Sequence, residues 1–159
     1  MCMMVYVASD HPLPTSAWDE ARPGFHVEEL SKRDEAVRKQ FSKPCIYYVG
    51  SHEGCGCGFQ YGQYEELEQD REESAAVEES RRHLSEFLAS AAVEESRRHL
   101  SEFLATALQG QAEVELFACW DGDQAATPEH RGRMSPSDLL RDHAHFREKE
   151  LLVVSEAAR

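Results

Sequence analysis

The chain has 159 residues, 41% hydrophobic and 30% charged, with a formal net charge of −13. That composition excludes a disordered polymer and leaves enough apolar residues for one cored domain spanning 1–159. An acidic excess with no basic stripe argues against nucleic acid or an anionic membrane as partner.

The N-terminal run Met1–Ala8 is apolar and β-prone, and it predicts a first strand. It has no basic flank and stops at Asp10, too short for a signal peptide or a membrane span. His11-Pro-Leu-Pro14 breaks it. Phe25–Leu30 alternates as a second strand, and Ser31–Phe41 reads as a helix with Ser31 at its N-cap. Pro44 ends that helix, and Cys45–Gly50 (CIYYVG) is the clearest strand. Gly54–Gln60 (GCGCGFQ) is expected to return as its hairpin partner, with Cys55 and Cys57 on one face.

From Tyr64 to Gln109 there is no proline or glycine, and acids crowd the beginning, which predicts one long helix ending at Gly110. Residues 74–89 read SAAVEESRRHLSEFLA, and 90–105 repeat them at all sixteen positions. Such identity marks a recent or engineered duplication inside an older fold. Sixteen residues advance an α-helix by about 100° each, leaving a phase error of about 160°. The apolar stripe of the first copy (Val77, Leu84, Phe87, Leu88) therefore faces away from that of the second (Val93, Leu100, Phe103, Leu104, then Ala107 and Leu108). One straight helix cannot bury both on one sheet. The second copy is expected in the native seat, because Ala105–Leu108 prolong its stripe, whereas the first joins an acidic run at 65–79 that prefers water. The alternative is a first copy that unwinds or loops out.

Ala112–Trp120 alternates as a strand, and Asp121-Gly-Asp123 is a turn. Ser135-Pro-Ser-Asp138 is a capping box with proline at the first helical position. Glu150–Ser155 forms the last strand, and Glu156–Arg159 frays. Strands and helices mix without regular alternation. The expected fold is α+β: an antiparallel or mixed sheet with one principal long helix.

The candidate chemistry lies in Ser51–Phe59 (SHEGCGCGF). Cys55, Cys57 and His52 offer three ligands to zinc or another thiophilic metal, with Cys45, Cys119 or His143 as a fourth. The same residues suggest a thiol nucleophile at Cys55 or Cys57 with His52 as its base. The competing reading is small cysteines packed beside glycine in a tight turn. His143-x-His145 and the Asp121/Asp123 pair are weaker metal candidates, since a helix terminus and a turn explain them. No Walker loop, Rossmann glycine triad, HExxH or GxSxG is present.

The odd count of five cysteines without an export signal suggests free thiols in the cytoplasm. The expectation is a small cytosolic interaction or regulatory protein without a catalytic centre, a homodimer through or because of the repeat helix. The alternatives are a metal-binding protein centred on GCGCG and a thiol-dependent enzyme.

Overall fold

The computed structural model describes residues 1–60, 75–141 and 144–156, with the side chains of 75–85 and 87 excepted. His143, the helix start near Tyr64, the linker 62–70, the side chains of the acidic run, the tail 157–159 and the side chains of Val77, Leu84 and Phe87 lie outside the described residues.

Six strands form one mixed sheet: β1 (Met3–Ser9), β2 (His26–Glu29), β3 (Cys45–Gly50), β4 (Val114–Trp120), β5 (His130–Met134) and β6 (Glu150–Val154). Their order is β2-β3-β1-β4-β6-β5. Every pair is antiparallel except β5 with β6. The fold is therefore α+β, with one long helix, α1 (Ala75–Ala107).

Strand alternation sorts the side chains onto two faces. Met3, Val5 and Val7 of β1 join Tyr47 and Val49 of β3, Leu116 and Ala118 of β4, and Leu152 and Val154 of β6 on one face. Leu100, Leu104, Ala107 and Leu108 of α1 close over them. Each fully buried leucine there contributes about 1.5–3 kcal/mol. Tyr6, Ala8, Ile46, Phe117, Cys119 and Leu151 point to the opposite face, which Val37 and Phe41 cover.

The helix runs unbroken through the junction of the two copies. Buried positions in the second copy recur at Val93, Ser96, Arg97, Leu100, Ser101 and Leu104, the spacing of one helical face. Among the described side chains from Glu86 to Ala92, none is buried. Leu104 is 0% exposed, whereas its counterpart Leu88 is 59% exposed. The second copy thus holds the sheet. Gly110, at φ +88°, ends the helix in the left-handed conformation that glycine adopts without strain.

Three local expectations need correction. Gly54–Gln60 does not form a hairpin strand: Gly56–Phe59 is a turn of 3₁₀-helix. Ser51, fully buried at the end of β3, ties the segment back upon itself. Its Oγ donates to the carbonyl of Cys55 at 2.6 Å and accepts from the amides of Glu53 and Gly58. These local bonds replace a strand ladder. Ser31–Phe41 is likewise 3₁₀, only over Glu35–Gln40, and Ser31 does not cap it: its hydroxyl donates to the Asp34 carboxylate instead. Finally, β5 went unread because HRGRM lacks apolar alternation. Only Met134 is buried, as suits an edge strand. The capping box at Ser135 and Asp138 is present, opening a short 3₁₀ turn over Pro136–Leu140.

Candidate functional site

The cysteine loop sits at the end of the sheet where β3 finishes and the central strand β1 begins. Register explains this. Val5 pairs with Val49, so the start of β1 lies opposite the residues just after Gly50. The loop folds across that end. The Met3 amide donates to the Cys57 sulfur at 3.2 Å, so a thiol takes up the first N–H of the central strand. A Cβ on Gly56 would lie 2.7 Å from the Val5 side chain and 2.9 Å from the Met3 carbonyl. Close backbone approach therefore requires glycine there.

The second repeat copy anchors the loop from above. Ser96 is buried, and its hydroxyl lies 2.8 Å from His52 Nδ1 and accepts from the His52 amide. Arg97, only 3% exposed, donates to the carbonyl of Phe59 at 2.7 Å and also to those of Arg141 and Ala144. One guanidinium, with its fan of donors, thus joins the cysteine loop to the segment after Pro136–Leu140. On its other side the loop meets aromatic rings: Trp18 packs near Gly54, and the Tyr48 hydroxyl donates to the Gly54 carbonyl at 3.0 Å.

Of the three expected ligands, two converge. Donor atoms of Cys55, Cys57 and Glu53 lie within 4.8 Å of one another. His52 is turned to Ser96 on the helix. Cys45 starts β3, at the far end of that strand, and Cys119 is buried on the opposite sheet face. Burial pushes the Cys55 thiol up to about 12; the Cys57 amide acts against the shift, and the Cys57 and Cys2 thiols add to it. Cys2 directly precedes the Met3 amide that donates to Cys57. Its carbonyl accepts from the Asp121 amide at 2.9 Å, which fixes its backbone just ahead of β1. All five cysteines are free.

The weaker candidates have ordinary engagements. Asp121 pairs with Arg33, which, by hydrogen bonding, holds its carboxyl below the usual range. Gly122, at φ +105°, makes the turn. His145 is exposed beyond the short 3₁₀ turn.

A polar cluster on the opposite sheet face was not foreseen. Gln124 Nε2 reaches the Tyr6 hydroxyl and the carboxylates of Asp34 and Asp121 at 3.2–3.3 Å. Burial raises the Tyr6 phenol well above its ordinary value and pushes the Cys119 thiol up to about 12. Gln40 holds Gln124 from outside, donating to its carbonyl and to that of Ala126. The cluster is internally satisfied and pins the Asp121–Ala126 turn to the sheet.

Comparison with protein-family models, curated proteins and solved structures finds no match. Among the described residues, no helix is long and apolar enough to cross a membrane.

Proposed function

We propose that this chain is a non-catalytic interaction protein that pairs with a second copy of itself through the first repeat. The observation that carries the reading is the contrast between Leu104, sealed against the sheet, and the identical Leu88, 59% exposed on the same helix. A 33-residue helix is about 50 Å long, more than one sheet face of this size needs. The first copy carries its own apolar stripe in sequence, turned about 160° from the second. Exchange of helices between two chains is a low-cost route to the same dimer.

The thiol-enzyme alternative draws less support. A Cys55 thiol held near 12 is a poor nucleophile at neutral pH, and the His52 imidazole is bonded to Ser96. Free thiols suit a reducing cytoplasm, and the net charge of −13 disfavours nucleic acid.

The test compares the full chain, a chain lacking 74–89, and Leu88→Glu by light scattering at tens of micromolar. The full chain is expected to be a dimer and the other two monomers. A monomeric full chain overturns the reading. Equal dimers in all three place the interface in the parent fold instead.

A further inference from the structure

The cysteine loop holds more than a packing device. Two thiols and a carboxylate gather within 4.8 Å at the start of the central strand. A tetrahedral zinc ion with Zn–S bonds of about 2.3 Å sets its sulfurs about 3.8 Å apart, well within that spread. The backbone is already shaped for the group. Ser51 and the glycines fix the turn, and the Met3 amide points at the Cys57 sulfur, as outer hydrogen bonds to metal thiolates do. Cys2 lies one residue before that amide, and the Asp121 amide pins its carbonyl. Its side chain is exposed.

We propose that Cys55, Cys57 and Glu53 bind one zinc-like divalent ion, with Cys2 swinging in as the fourth ligand. His52 is not a ligand; it orients the loop from Ser96. Binding displaces the thiol protons to solvent, and the ion carries charge that balances the thiolates. The consequence is structural: the ion ties the N-terminus of the central strand to the loop that follows its neighbour. Three protein ligands alone would leave an open position of the kind catalytic zinc sites keep, and Cys2 closes it.

The experiment is an anaerobic titration of the full chain with cobalt(II) and then zinc. The expected result is one cobalt per chain, with sulfur-to-cobalt charge-transfer absorbance in the near ultraviolet and displacement by zinc. Cys55→Ser and Cys57→Ser are expected to abolish the band. Cys2→Ser should weaken binding by on the order of tenfold or more, while Cys45→Ser keeps it. Should the serine variants fail to fold, alkylation of the unaltered chain decides the matter: zinc is expected to protect Cys2, Cys55 and Cys57 and to leave Cys45 unprotected. No saturable cobalt binding at micromolar metal overturns the site. So does a band that survives in folded Cys57→Ser, or protection that spares Cys55 and Cys57. A band retained at full affinity in Cys2→Ser overturns the assigned ligand set.

Discussion

Leu88 and Leu104 occupy the same place in two copies of one segment, and only the turn of the helix separates their fates. Leu104→Ala should cost about 2–5 kcal/mol by opening a cavity under the sheet. Leu88→Ala should shift stability by no more than about 0.5 kcal/mol in the monomer. Urea denaturation of both variants in dilute protein checks this, and equal losses would contradict the packing described. A second residue-scale expectation concerns alkali. Cys55 and Cys119 are pushed from an ordinary 9.0 to about 12, and Tyr6 and Tyr48 are raised too, all mainly by burial. These acids stay neutral in the fold while the unfolded chain ionises first. The native state then binds more protons, so stability is full below the unfolded thiol value and falls as pH climbs from 9.0 toward 12. The urea midpoint should drop across that window, and less steeply in Cys119→Ala. A flat midpoint would refute the burial of these groups. The sequence showed which thiols were unusual, because glycine and cysteine alternate so conspicuously. It did not show Ser51, Ser96 or Arg97, whose partners lie on other segments or depend on a turn unlike the expected strand.

At the scale of elements, strands were the legible part. Five of the six carry apolar alternation or β-branched density, while β5 pairs through backbone alone and shows charged side chains. The 3₁₀ turns misled, because polar side chains and glycines decide them locally: Ser51 ties one, and Ser31 bonds to Asp34 rather than to a helix end. The one cap read from sequence also yields a prediction. The Ser135 amide donates to Asp138 and holds its carboxyl below the usual range. A depressed carboxyl contributes stability above the unfolded value of about 3.9 and loses it as pH falls through the lower folded value. Asp138→Asn should therefore cost about 0.3–1 kcal/mol at neutral pH. The gap to the parent should close in strong acid. Thermal melts at both pH values measure it, and a gap that persists in acid would mean the carboxylate charge is not its source.

For the whole molecule, α+β organisation follows from composition and pattern, but strand order does not. Nothing in a linear reading says that the first strand belongs in the middle, between β3 and β4. That placement has a consequence for a chain still being made. Once β3 has emerged, β1 gains one neighbour, and its other edge, MMVYVAS, stays bare until β4 follows. Roughly 60 residues separate β3 from β4, so at about 5–20 residues per second a nascent chain shows that apolar edge for about 3–12 s. The sixteen-residue duplication falls inside this interval and prolongs it by about 1–3 s. Its effect on loop closure at equilibrium is only about 0.3 kcal/mol. The insertion thus weighs far more on the ribosome than in the finished fold, by lengthening the time in which a neighbouring nascent chain can add to the open sheet.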